Sequence, residues 1–112
     1  MTDTELLKLA AKAAGLEYTG ENYARTSLGG GHYDNYPWSP LTDDGDALRL
    51  AVKLDIDFYM GADSDGPEAW AGYYVPGRDN KLHACVPVGK DPYAATRRAI
   101  VRAAAEIGKE ST

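Results

Sequence analysis

Residues 54–88 read LDIDFYMGADSDGPEAWAGYYVPGRDNKLHACVPV. The reading of this stretch decides the fold. Leu54, Ile56, Phe58 and Met60 alternate with Asp55, Asp57 and Tyr59, the period of a half-buried strand. Residues 61–67 form a polar, glycine-bearing loop, and a second strand follows from Ala69 to Val75 with Trp70, Tyr73 and Tyr74. Pro76 to Asn80 is a turn. Leu82, Ala84, Val86 and Val88 then alternate with His83, Cys85 and Pro87 in a third strand. Connections this short join antiparallel neighbours, so the stretch is a β-meander.

Outward from the meander the period changes to 3.6. Upstream, Thr42, Asp43 and Asp44 offer capping oxygens for a helix from about Asp43 to Lys53. Its expected buried stripe is Ala47, Leu48, Ala51 and Val52. Downstream, Asp91 caps a helix with Pro92 at its first position, where a missing N–H costs nothing. Its apolar stripe is Tyr93, Ile100, Ala103, Ala104 and Ile107, and Gly108 is the expected stop. At the other end of the chain, Thr2 and Glu5 form a capping box ahead of Leu6, Leu9, Ala10 and Ala13, with Gly15 as the stop. Residues 17–40 have little period; a short strand near Tyr33–Tyr36 is expected there, with Tyr18 and Tyr23 on an irregular strand or hairpin. No internal repeat and no linker is evident. The expected fold is therefore α+β: an antiparallel meander of three or more strands packed with three α-helices, a single compact domain over residues 1–112 with a frayed tail from about 109. Helices two and three would share one face of the sheet, and helix one would lie near an edge or on the other face.

Composition narrows the function classes. Leu, Ile, Val and Phe number only 19 of 112, so eight Tyr, two Trp and many Ala must supply the packing. Net charge is −5, which argues against direct nucleic-acid binding through neutralised phosphates. No apolar run approaches the ~20 residues that span a bilayer, and the acidic start lacks a secretory pattern. One cysteine, Cys85, fits a reducing cytoplasm. No metal site reaches its ligand count. Asp43, Asp44 and Asp46 are explained by helix capping, 63–68 by a hairpin loop, and His83 with Cys85 supply only half a zinc set. No cofactor motif is present. Gly29–Gly31 lack the phosphate-loop pattern.

Two groups stand out as candidate binding residues. His32, Tyr33, Tyr36 and Trp38 crowd a Gly- and Pro-bearing segment, where aromatic rings either stack on a partner or fold down over the sheet. Arg97 and Arg98 belong to a basic C-terminal stretch, net +2 over 89–112 against −7 for the rest, which suits anion capture or self-association into a homodimer.

Three blocks carry a resemblance: WSPLTDDGDALRLAVKL at 38–54, DPYAATRRAIVRAAAEIG at 91–108 and LLKLAAKAAG at 6–15. Together they cover somewhat under half of the chain and resemble the phage ABA sandwich domain family. That resemblance implies helices packed on a β-sheet, a phage or prophage origin, and action inside a bacterial cell. It implies no activity, cofactor or catalytic residue. The leading expectation is a non-enzymatic binding module for a host protein or a small anionic ligand, with counter-defence as the use its origin would favour. The alternatives are a small hydrolase-like enzyme using His32 or His83 with nearby carboxylates, and an acidic nucleic-acid mimic built on Asp43, Asp44, Asp46, Asp55, Asp57, Asp63 and Asp65.

Overall fold

The computed structural model describes residues 1–21, 23–29, 32–64 and 66–110, the side chains of 27–29, 32–34 and 63 excepted. The elements run α1 (Asp3–Ala13), β1 (Glu17–Gly20), β2 (Tyr23–Gly29), β3 (His32–Pro37), α2 (Asp44–Lys53), β4 (Asp57–Asp63), β5 (Gly66–Tyr73), β6 (Leu82–Pro87) and α3 (Pro92–Glu110). This is the α+β class expected, with three helices and two three-stranded antiparallel sheets among the described residues, ordered β1-β2-β3 and β4-β5-β6. The second sheet is the expected meander, but the loop expected over 61–67 is mostly strand: β4 runs on to Asp63 and β5 starts at Gly66, with Gly61↔Glu68 and Ala62↔Pro67 paired. The first replaces most of the stretch expected to be irregular: β2 pairs with β3 from Tyr23↔Pro37 to Gly29↔His32. Its core face is one short row, Tyr18, Ala24 and Tyr36, set opposite one another and packed on the core, and the Gly and polar residues interspersed around it hide the alternation.

The path from helix through three strands is traversed twice, and the two helix-to-strand joints are built alike. At the first, Leu16 N–H donates to the Ala11 carbonyl and Gly15 N–H to Lys12; at the second, Ile56 N–H donates to Ala51 and Asp55 N–H to Val52. Both are 6→1 plus 5→2 caps closed by a left-handed residue. That residue is Gly15 (φ 77°) in one and Asp55 (φ 55°) in the other. Leu54 to Ile56 thus belong to a joint rather than to the strand, so β4 starts two residues after Asp55. A twofold architecture exists that side-chain identity alone does not reveal.

α3 is the central element. One side lies against β4, β5 and β6, where Ala69, Ala71 and Val86 are buried under it. α2 packs near its start. α1 lies beside it in the same sense, Asp3 meeting Arg98 and Leu9 meeting Gly108. Helix one therefore packs on helix three rather than directly on the meander. Ala10, Ala11, Ala99, Ala103 and Ala104 are fully buried, so small side chains let the helices approach closely. Gly108 is buried within α3 rather than ending it; a Cβ there would collide with the Leu9 carbonyl. Its role is close approach, not termination.

Thr2 caps α1 by accepting from Glu5 N–H at 3.2 Å, and Asp43 caps α2 by accepting from Asp46 N–H at 2.8 Å. Asp91 accepts from Tyr93 and Ala94 N–H groups at the start of α3. No helix among the described residues is long and apolar enough to cross a membrane.

Candidate binding surface

β4 occupies one edge of its sheet. Phe58 and Met60 point to the helix-bearing face, as Ala69 and Ala71 opposite them do. Their exposures are nevertheless 42% and 50%. The edge strand lies beyond the main contact of α3, so the side chains expected to be half-buried stand at a rim. α2 contributes a second rim. Its buried stripe is Ala47, Leu50 and Ala51, spaced i, i+3, i+4, whereas Leu48 and Val52 point outward. The expected stripe of Ala47, Leu48, Ala51 and Val52 is thus only half right; Leu50 takes the inner position. The first turn of α3 supplies Tyr93, 69% exposed.

These elements enclose an apolar groove of about 450 Å³, lined among others by Ala47, Leu48, Phe58, Met60, Tyr93 and Ile100. Tyr59 also lines it, so three consecutive β4 residues border the groove and its wall is the strand edge itself. The polar end is fixed by Arg97. Its Nε donates to the Leu41 carbonyl at 2.9 Å and its Nη1 to Asp44 at 2.7 Å, tying the turn before α2 to α3. The Thr96 hydroxyl lies 2.8 Å from the Pro92 carbonyl and 3.7 Å from Met60 Sδ.

The opposite face of the same sheet is covered by its own side chains. Tyr59 stacks on Trp70 at 6.0 Å and 19°, and His83 meets both rings edge-on. The Trp70 indole lies across Gly61, where a Cβ would stand 2.9 Å from Nε1. Lys81 donates to Asp57 at 2.6 Å, and this pair lies across Gly72. That hydrogen bond holds the Asp57 carboxyl below its ordinary range and raises Lys81. Both glycines are needed so that long cross-strand pairs can lie flat.

A second cleft, of about 360 Å³, runs between α1, α3 and β6. Arg98, Arg102, His83, Tyr73 and Glu106 line it. Arg98 donates to Asp3 at 3.0 Å. Burial and then the Glu106 charge push the Tyr73 hydroxyl up.

The residues singled out from the sequence do not converge. His32 and Tyr33 fall in β3, with side chains outside the described residues. Tyr36 is half-buried, its hydroxyl 3.4 Å from Thr26 Oγ1. Trp38 is 6% exposed, tilted at 58° to Tyr18, so it packs in the core and presents no surface. Arg97 and Arg98, adjacent on a helix, project about 100° apart and reach different neighbours. The acidic cluster is likewise engaged: Asp43 caps, Asp44 pairs with Arg97, and Asp46 accepts from Ser39 N–H at 2.9 Å. Asp55 sits in the joint, so Asp55 and Asp57 do not share a strand face. Among the described residues, no three His, Cys, Asp or Glu side chains come together as a metal-ion set.

Leu48, Phe58, Met60 and Tyr93 are the surface residues that sequence reasoning misses, because each fits a core stripe or a strand alternation. The available signal was α2, apolar on two rows. No family model, curated protein or solved structure matches the chain.

Proposed function

We propose that this chain is a non-enzymatic binding module that docks a strand-forming protein segment in the groove between α2, β4 and α3. One observation carries the reading: apolar side chains from three elements are left open around one groove, beside a strand edge that no other strand among the described residues pairs. Soluble proteins use contiguous apolar patches rimmed by polar groups for interaction. Among the described residues, the groove's one lining carboxylate, Asp44, is already paired with Arg97, and the lining contains neither His nor Cys. That composition suits adhesion rather than proton transfer. The resemblance of the three helical blocks to the phage ABA sandwich family supports a phage- or prophage-encoded protein acting in the bacterial cytoplasm, with counter-defence as its use.

Affinity capture tests the groove. Tagged wild type should retain a protein partner that Leu48→Lys and Met60→Lys lose while keeping the wild-type melting temperature. Identical captures by all three proteins would remove the reading.

A second reading concerns a small anion, and the polar cleft favours it. Arg98 and Arg102 line one opening there, and guanidinium groups suit carboxylate or phosphate oxygens. Titration with inorganic phosphate should raise the melting temperature of wild type and not of Arg102→Ala; equal responses would dismiss this reading.

A further inference from the structure

The groove's occupant can be named from the strand that borders it. We propose that β4 pairs antiparallel with β4 of a second copy, about a twofold axis through Tyr59, joining two three-stranded sheets into one of six. This rests on the groove being a docking surface, and identifies what docks.

The edge itself is the first argument. β4 has β5 on one side, and the groove on the other. An edge strand leaves half of its N–H and C=O groups open to another strand. Natural edges are blunted by charged side chains, above all lysine, by proline, by bulges or by shortness. β4 carries charge only at its two ends, Asp63 and Asp57, the latter neutralised by Lys81, and has none of the other devices. It is seven residues long, contains neither Pro nor Lys, and keeps regular register with β5 from Asp57↔Gly72 to Asp63↔Gly66. The other edge, β6, ends on Pro87.

Register is the second argument. An axis at Tyr59 sets Phe58 opposite Met60 of the second copy, Met60 opposite its Phe58, and Asp57 opposite its Gly61. Residues directly opposite in an antiparallel pair share a face, so both Phe–Met pairs fall on the helix-bearing side, over the two grooves. A shift of the axis to Met60 would set Asp57 opposite Asp63, a like-charge pair that opposes association. The chosen register is self-complementary, as an isologous contact must be.

Exposed apolar surface is the third. Around the groove Leu48, Phe58, Met60 and Tyr93 are 51%, 42%, 50% and 69% exposed, and the two strand backbones add to what a second copy would cover, toward the roughly 800 Å² that each partner gives to a standard-size stable interface. A short peptide in the groove would leave part of the Leu48 and Tyr93 rims uncovered, whereas a second sheet edge carries its own rims to meet them.

Light scattering at micromolar concentration should give about twice the chain mass of 12.1 kDa. Met60→Lys should give a single chain mass with unchanged circular dichroism; Leu48→Lys, on a different element, should weaken association in the same way. In a Cys85→Ser background, Tyr59→Cys should form a disulfide-linked dimer under mild oxidation, because paired residues at the axis stand within disulfide reach. Val52→Cys in that background should not. A wild type that stays monomeric throughout overturns the proposal, as does a dimer that Met60→Lys leaves intact. If monomeric wild type still captures another protein that Met60→Lys loses, the groove reading stands and the second copy falls. If neither self-association nor capture depends on Met60, both fall.

Discussion

Gly108 and Trp38 illustrate how much one side chain decides in a core built largely of alanine. A methyl at Gly108 would meet the Leu9 carbonyl carbon at 2.9 Å and its oxygen closer still. Backbone cannot yield as a side-chain tip does. Gly108→Ala should therefore lower stability by about 3 kcal/mol, at the upper end of overpacking costs, in a denaturant melt. Gly108→Ala paired with Leu9→Ala should not recover it, since the obstacle is main chain. Trp38 is buried against Tyr18, so Trp38→Ala should cost about 3–5 kcal/mol and leave groove binding intact in the folded fraction. Loss of binding without loss of stability would return Trp38 to the surface role its sequence context advertised. Tyr73 is the residue whose titration reports on packing. Burial first, then the Glu106 carboxylate, raise its hydroxyl above the ordinary 10.0. A raised pKa means that the native state holds its proton where the unfolded chain has released it. The associated stability is complete below the unfolded value and is lost as pH rises through the folded one. Melts taken at rising alkaline pH should therefore show Tyr73→Phe losing less stability than wild type above about pH 10.

Elements join through geometry that recurs. The caps after α1 and α2 use the same pair of hydrogen bonds, but one is closed by Gly15 and the other by Asp55. Left-handed backbone is open to glycine and costs other residues roughly 1–2 kcal/mol, less for aspartate. Opposite effects follow at equivalent positions. Gly15→Ala should destabilise by about 1 kcal/mol, and Asp55→Gly should stabilise by up to about 1 kcal/mol. Thermal melts of both variants check the equivalence; the same sign in both would show that the joints differ in strain. At the element level α2 also hides the groove in the sequence. Ala47, Leu50 and Ala51 are its inner row, while Leu48 and Val52 add a second apolar row. Both rows fit a helical period, and period does not say which one meets the rest of the molecule.

Across the whole molecule, the basic C-terminal stretch acts as a clamp. Arg97 reaches Leu41 and Asp44, and Arg98 reaches Asp3, so α3 holds α2 and α1 with charges that the linear sequence assigns to a separate pole. The two sheets are supported unequally. α3 covers β5 and β6, whereas the main helix contact of the first sheet is that of α1 with β1. Regions with more buried apolar contact open only with the whole fold. Backbone amides of Trp70, Ala71 and Val86 should therefore exchange hydrogen at the slowest, globally limited rate. Those of Arg25 and Asn35 should exchange through smaller openings at lower free energy. Equal protection in the two sheets would show that they unfold as one unit.

Caps, alternation and helical stripe are local, and they were legible directly. Thr2, Asp43, Asp91 and Pro92 start their helices because each side chain or ring acts on backbone a few residues away. The 57–60 and 82–87 alternations are likewise properties of successive peptide units. Exposure is not local. Phe58 and Met60 alternate like core residues, and only the edge position of β4 leaves them open. Gly108 reads as a helix stop until α1 is laid beside it. Arg97 and Arg98 read as one basic pair until helical geometry sends them to different neighbours. Trp38 reads as a loop aromatic until Tyr18 of the first sheet packs against it. Sequence specifies what each residue can do within about one turn or one strand pair. Whether an apolar side chain becomes core or stays exposed depends on which element, distant in sequence, arrives to cover it.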